Sequence, residues 1–327
     1  MKKTLSIILL VCTLFSTFVL FSCNANLPTD GEYKIALDLT EEWNKKSTNT
    51  QLVQGCLVVR KEFAEAYPET VSTFLNEYNA SIQYTNSSPK EAAALISEFK
   101  ILPNEAIAMK AIPNCNIAFM EGESMKASMA DFLSAMYSIA PASIGGKLPG
   151  DDFYYSRTNA TGVADKVNIA TLNGTTGFGM AKLMSDNKNI NKYTISVKSD
   201  PTEIITGLVQ GSIDIAALPT NAASVVYNKT NGKVQVAAIN TLGVLYVLDK
   251  TNSINSLDDL EGKTIYCPAQ NPRFILEYIL KSNNINATID STTYSSPDAL
   301  TEAAKNGVVD IAVLPEPKVS IVLSSND

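Results

Sequence analysis

The chain has 327 residues, a formal net charge of −7 and no histidine. The length suits one large domain or two medium ones with ample core. The absence of histidine excludes Ser-His-Asp and Cys-His catalysis and every histidine-based metal site, and an acidic chain without a basic run makes a poor nucleic-acid binder.

At the N-terminus, Lys2 and Lys3 precede an apolar run from Leu5 to Leu20, the pattern of an export signal over 1–22. Leu20-Phe-Ser-Cys23 resembles a bacterial lipobox, which implies lipidation at Cys23 and a tether over 23–31. The alternatives are a simple secretory signal or an anchor helix, for which the run is short. Of the five cysteines, Cys56, Cys115 and Cys267 remain beyond this segment. An odd number without CxxC spacing argues for buried free thiols over a metal site, and a Cys56–Cys115 pair stays open.

Along the chain, 33–39 and 52–59 read as strands. Helices follow over 68–78, where Pro68 and Glu69 mark the first turn, over 89–99 and over 104–110. A short strand at 116–120 leads to a helical stripe of Met125, Met129, Phe132, Leu133, Met136 and Tyr137, which reads as core. The single tryptophan, Trp43, reads as packing or as a stacking surface for a ligand. A glycine- and proline-rich loop over 144–152 and a polar linker over 156–165 separate this half from the next. Beyond it, strands alternate with helices, so each unit is expected to hold a mostly parallel sheet.

One unit occurs twice in this second half. Gly211-Ser-Ile-Asp-Ile-Ala-Ala-Leu-Pro219 recurs as Gly307-Val-Val-Asp-Ile-Ala-Val-Leu-Pro315, each time after a helical stretch. Each copy reads as a glycine helix stop, a buried strand and a terminating proline. Two such units make two related α/β lobes with a cleft between them.

The candidate binding residues lie where strands end and helices begin, because backbone donors are free there and ligands of open α/β sheets gather at strand carboxyl ends. Asn173, Gly174, Thr175 and Thr176 open a Gly-x-x-Gly-x-Gly loop, which is neither a dinucleotide fingerprint nor a P-loop. It reads equally as an anion site or as a tight turn without a ligand. Thr220, Asn221 and Glu316 follow the repeated strands, and Gln270 and Asn271 form the second lobe's counterpart of the Asn173 loop. Asp214 and Asp310 read as structural, with a catalytic pair as the minority alternative. Arg273 is either an anion partner or a solvated surface charge.

Several stretches resemble the solute-binding proteins of ABC importers, in the nitrate/sulfonate/taurine and thiamine-pyrimidine-precursor group. They are 167–184, 211–227, 257–265, 63–80 with its Tyr67-Pro68, and 143–155. The resemblance implies a two-lobed type 2 periplasmic-binding-protein fold, α/β, with a mostly parallel sheet in each lobe. It also implies no enzymatic activity and no cofactor. The implied partners are a small-molecule solute, ABC permease transmembrane subunits and a membrane reached through the lipid anchor. No nucleic-acid partner is implied, and a monomer is expected, extracytoplasmic and lipid-anchored to the bacterial cell membrane. The family's enzymatic branch uses a histidine and a cysteine cluster that this chain lacks.

The family's segments come in the reverse order here, so the chain resembles a circular permutation with the old ends fused near 156–165. The boundaries expected from it are one lobe over 113–250 and the other from 32–112 with 251–327. The hinges are expected near 112 and 248–255. The alternatives to transport are a sensor or surface binding lipoprotein, and an enzyme working through Asp214, Asp310 or Glu316.

Overall fold

A computed structural model describes residues 31–46 and 51–325. The expected signal, tether and lipidation site at Cys23 lie outside them. No helix among the described residues is long and apolar enough to cross a membrane.

The strands form two sheets. The first has five strands in the order β1 (Lys34–Asp38), β8 (Leu245–Asp249), β11 (Ile311–Pro315), β9 (Thr264–Tyr266) and β10 (Thr288–Asp290). The second has six: β3 (Ile117–Met120), β7 (Val234–Leu242), β2 (Val53–Arg60), β6 (Ile215–Pro219), β4 (Val167–Leu172) and β5 (Tyr193–Lys198). The helices are α1 (Leu39–Asn44), α2 (Lys61–Ala66), α3 (Pro68–Ser87), α4 (Pro89–Glu98), α5 (Glu105–Ala111), α6 (Gly122–Ile139), α7 (Thr175–Phe178) and α8 (Ala181–Ile190). They continue with α9 (Pro201–Gln210), α10 (Thr220–Thr230), α11 (Asn271–Ser282), α12 (Pro297–Lys305) and α13 (Lys318–Ser324).

The two sheets share one plan. In the six-stranded sheet β4, β5 and β6 run parallel, β2 pairs antiparallel with β6, and β7 antiparallel with β2. In the five-stranded sheet β9, β10 and β11 run parallel, β8 pairs antiparallel with β11, and β1 antiparallel with β8. The repeated motif supplies the strand of each parallel trio that also pairs with the antiparallel neighbour, β6 beside β2 and β11 beside β8. Local chemistry explains the matching helices before them. Asp200 caps α9 and Ser296 caps α12, each followed by a proline in the first turn, and Gly211 and Gly307 follow with φ of +77° and +66°.

Alternating residues send each sheet's two faces into different cores. Leu57, Ile169, Ile215 and Ala238 face α3, α4 and α5 through Phe74, Tyr78 and Ile96. Val58, Ala216 and Val236 belong to a core that also contains Leu37, Val247 and Val313 of the five-stranded sheet. Met125, Met129, Phe132, Leu133 and Met136 of the α6 stripe and Trp43 are buried in that shared core, whereas Tyr137, expected with them, is exposed, and the Trp43 ring lies 4.7 Å from that of Tyr278. Tyr246, Leu248 and Leu314 line a third core under α12 and α13. The three cysteines are buried free thiols, so Cys56 and Cys115 are not paired.

Strand pairing redraws the expected boundaries. Residues 53–112 belong with the six-stranded sheet, because β2 pairs with both β6 and β7 and α3 packs on Phe178 and Ile169. Only the segment around β1 and α1 joins 245–325. The chain therefore crosses between sheets after α1 and again at Leu242–Leu245, and not near 112 or 248–255 as expected. An apolar run such as 53–60 is equally suited to either sheet, so its partner is decided in three dimensions.

Candidate functional site

The strand directions determine which loops meet. The carboxyl ends of β4, β6 and β7 and the start of β2 share one edge of the six-stranded sheet, as Val53–Leu242 and Gly55–Pro219 pairing shows. The carboxyl ends of β9, β10, β11 and β1 and the start of β8 share one edge of the other. The short crossing from β7 to β8 draws these two edges together. Asn116 Nδ2 donates to Gly243 O at 2.6 Å, Val244 N to Gln54 Oε1 at 2.6 Å, and Tyr246 OH to Asn114 O at 2.8 Å. Gly243 passes so near α1 that an added Cβ would sit 2.1 Å from Thr40 Oγ1.

The expected site residues lie on these facing edges, in differing states. Thr220 is buried and donates its hydroxyl to Val53 O at 3.0 Å, so it ties β2 to α10. Asn221 is half-buried, with Nδ2 3.5 Å from Ser143 O. In the Asn173 loop, Asn173 N donates to Lys198 O and Gly174 N to Ile101 O, at 2.9 and 3.0 Å. Those two donors are spent on the protein, and α7 has only four residues, so the loop is a tight turn. Asn173 is exposed, while Thr175 and Thr176 are half-buried. Gly174 sits at φ +85°, ψ −160°, a conformation for glycine alone. A valine there would strain the backbone itself, so that substitution cannot isolate a binding effect.

On the opposite edge, Gln270 is exposed with φ +65° and Asn271 is half-buried at the start of α11. Glu316 is only 2 % exposed. It accepts from Ser320 N at 3.1 Å and Ser320 Oγ at 3.0 Å, and burial raises its pKa above the ordinary glutamate value. Nothing brings Asp214 and Asp310 together. They precede β6 and β11 in different sheets, at the ends away from the facing edges. Asp214 bonds Arg60 Nη2 and Asn168 N, both at 2.9 Å, whereas Asp310 is exposed. Arg273 is exposed and lies 3.9 Å from Glu277, a surface charge.

Sequence reasoning missed Asn114, Asn116, Asn240 and Thr40. Their signal is faint: Thr40 follows β1, Asn114 and Asn116 precede β3, and Asn240 lies inside β7, where its Nδ2 donates to Tyr78 OH at 3.0 Å. Cavities also open away from the facing edges. One of about 300 Å³ lies between α3 and α8, rimmed by Glu77, Tyr84, Lys182 and Tyr193, and one of about 440 Å³ lies beside Tyr154 and Tyr155.

Residues 181–324 match the family described as ABC transporter, phosphonate, periplasmic substrate-binding protein. Residues 26–137 match a family described as menaquinone biosynthesis. Among solved structures, the chain resembles the crystal structure of an ABC transporter from Parabacteroides distasonis at 1.75 Å resolution. Identity is 21 % and the TM-score 0.36, over 50 % of this chain and 56 % of that one, so the chain spans about half of that protein's length. No curated protein matches the chain. The two sheets share one α/β plan with facing strand ends, and the region that holds both repeat copies is similar to ABC transporter periplasmic substrate-binding proteins.

Proposed function

We propose that the chain holds a small organic solute between the facing strand ends and presents it to ABC permease transmembrane subunits. The observation that carries this reading is the position of Thr176, Asn221 and Asn271 at two strand edges joined by two chain crossings. Such crossings act as hinges, and a ligand that contacts both edges shifts the population toward the closed form. Sulfonate or taurine-like and thiamine-pyrimidine-like solutes are the classes carried over from the resemblance. The protein is proposed to be a monomer anchored through a lipid at Cys23.

A circular permutation is part of the same proposal. Its support is that 156–165 joins two parts of one unit. Tyr155 N donates to Val236 O, Thr70 N to Gly162 O, and Ala164 N to Thr70 Oγ1.

The test is to isolate the protein from its native membrane and identify small molecules released on denaturation. Stoichiometric solute in the wild type, lost in Thr176→Trp and Asn221→Trp, is the expected result. Solute retained in both variants would place the pocket elsewhere. The menaquinone-biosynthesis match over 26–137 carries a second reading, an enzyme on the same scaffold. Turnover of the captured solute, stopped by Glu316→Gln, is its distinguishing result.

A further inference from the structure

The cavity beside Tyr154 and Tyr155 is not part of the facing edges. Gln235, one of its walls, stands at the start of β7, whose other end reaches the facing edge at Leu242. Roughly 24 Å of extended strand separates the two. The end of α2 and the start of α3 form a second wall through Ala64, Glu65 and Pro68, and the 156–165 segment covers both through Ser156, Thr158 and Ala160. This segment is the join of the proposed permutation, so the cavity belongs to this chain's own connection. It is pinned along its length. Tyr155 N donates to Val236 O at 2.9 Å. Arg157 Nε donates to Glu121 Oε2 at 2.8 Å, and its Nη1 to Asn76 Oδ1 at 2.9 Å and to Ser72 Oγ at 3.0 Å. At the far end Gly162 packs so closely that an added Cβ would stand 2.4 Å from Ala66 O. The cavity is therefore formed before any ligand arrives, which lowers the ordering cost of binding.

Its volume, about 440 Å³, falls among those of small-molecule sites, roughly 300–1,000 Å³. The lining combines apolar surface from alanine, proline and tyrosine with neutral hydroxyl and amide groups. One of these groups is unsatisfied. Tyr155 is 7 % exposed, and its hydroxyl is buried with no hydrogen-bond partner among the described residues. Such a group is costly until a partner is supplied, and a phenol can both donate and accept. Gln235 Nε2 is spent on Asp152 O at 3.0 Å, which leaves its Oε1 to accept. The charges disfavour two ligand classes. Among the described residues that line the cavity there is no lysine or arginine, so an anion would find no cation there. A cation would meet Glu65, which is exposed and screened by solvent, and the Tyr154 ring, over which Lys126 Nζ already lies at 5.8 Å.

We propose that this cavity is a second binding site, remote from the facing edges, and that it takes a neutral saccharide unit. A sugar ring lays its C–H face on the alanine, proline and tyrosine surface and turns its hydroxyls to Tyr155, Ser156, Thr158 and Gln235. Each of these is a neutral group matched to a sugar hydroxyl, which both donates and accepts. The Tyr155 hydroxyl gains the partner that the protein does not supply.

The experiment applies the purified full chain to a glycan array beside Ala160→Trp, in which an indole at an exposed position fills the cavity. The glycan with the strongest signal is then titrated by calorimetry into wild type, Tyr155→Phe, Thr176→Trp and Asn221→Trp, with tetramethylammonium and inorganic phosphate as control ligands. A neutral glycan bound by wild type, lost in Ala160→Trp, about tenfold weaker in Tyr155→Phe and unchanged in the two interlobe variants supports the proposal. The melting temperature of Tyr155→Phe should not fall, because the ring stays and its hydroxyl has no protein partner to lose. No bound glycan, or one bound equally by wild type and Ala160→Trp, overturns the site. Tighter binding of tetramethylammonium or phosphate than of any glycan overturns the ligand class. Unchanged affinity in folded Tyr155→Phe overturns the assignment to its hydroxyl. Glycan binding lost in Thr176→Trp and Asn221→Trp places the sugar between the lobes, which overturns the second site and leaves interlobe capture standing.

Discussion

The two copies of the Gly–strand–Pro unit have nearly the same local sequence and the same backbone plan, yet they do different work. In the six-stranded sheet, Asp214 is buried, bonds the Arg60 guanidinium and closes the turn onto Asn168 N. Its counterpart Asp310, four residues before Leu314 in the same register, faces solvent. Past the strand, Thr220 ties α10 to β2, while the second copy continues into Glu316, whose carboxylate caps the backbone at Ser320. The motif therefore specifies a helix stop and a buried strand, and the neighbouring strand decides what the polar residues mean. Both neighbouring strands make the same backbone bond, Arg60 N to Asp214 O and Lys250 N to Asp310 O, but β2 also brings the Arg60 guanidinium to the Asp214 carboxylate, whereas Lys250 Nζ donates to Gly307 O.

The largest expected difference between the copies tests that point. Asp214→Ala removes one partner of a largely buried pair and leaves Arg60 Nη2 and Asn168 N without their carboxylate, although Arg60 Nη1 keeps Glu62, at a cost of about 3 kcal/mol. Asp310→Ala should fall within about 0.5 kcal/mol, as for ordinary surface changes. Urea denaturation of both variants measures the contrast. Equal losses would mean that the two aspartates share a role.

A second, smaller difference concerns packing. Gly207 of the first copy lies against Ile213, and an added Cβ would stand 2.4 Å from its Cδ1. The second copy has Ala303 and Val309 at the equivalent positions: one carbon gained, one given up. Gly207→Ala should cost about 1–3 kcal/mol through overpacking. Adding Ile213→Val should recover most of that loss, which a double-mutant cycle reads directly as coupling. Strict additivity would show that the size exchange is incidental.

The third difference appears only with pH. Burial raises the Glu316 pKa, so between its unfolded and folded values the native state holds a proton that the unfolded chain has released. Its contribution is full below the unfolded pKa and is lost as pH rises through the folded one. Asp290, at the end of β10, has the opposite sign. Thr293 Oγ1 and the backbone N–H groups of Thr293 and Thr292 hold it down to about 2. Stability from Asp290 is present above the unfolded value and is lost as pH falls toward 2. Denaturation midpoints from pH 3 to 8 should lose the falling slope in Glu316→Gln and keep it in Thr220→Val, since threonine does not titrate. Glu316→Gln with the wild-type slope would show that another group titrates there.

The smallest expected effect is at Arg273. Arg273→Ala should change stability by less than about 0.5 kcal/mol and leave solute affinity untouched, because Arg273 is itself exposed and meets Glu277 on the same helix only at 3.9 Å. A tenfold loss of affinity would return the arginine to the site.

Much of this molecule was legible along the chain. Pro201 and Pro297 with their capping residues, the glycine stops and the two apolar runs encode the repeat locally, because each signal acts within a few residues. Most of the methionine stripe of α6 was likewise readable as core, since helical spacing puts Met125, Met129, Phe132, Leu133 and Met136 on one face, with Tyr137 falling outside it. The candidate edges followed from strand–helix order. The use of the Asn173 loop did not: its donors look free in sequence, and the carbonyls that take them come from Lys198 and from Ile101, far away along the chain.

By itself, the sequence determined that there are two α/β units, where their helices start and stop, and which residues stand at the ends of their strands. Those properties depend on short-range periodicity, capping and backbone freedom. Only the tertiary structure decided that 53–112 joins the six-stranded sheet, that the crossings lie after α1 and at Leu242–Leu245, and that Arg60 meets Asp214 while Asp310 faces solvent. Each of these is a choice among distant partners of similar local character, and it is settled by which strand edges and charges come within bonding distance once the chain is packed.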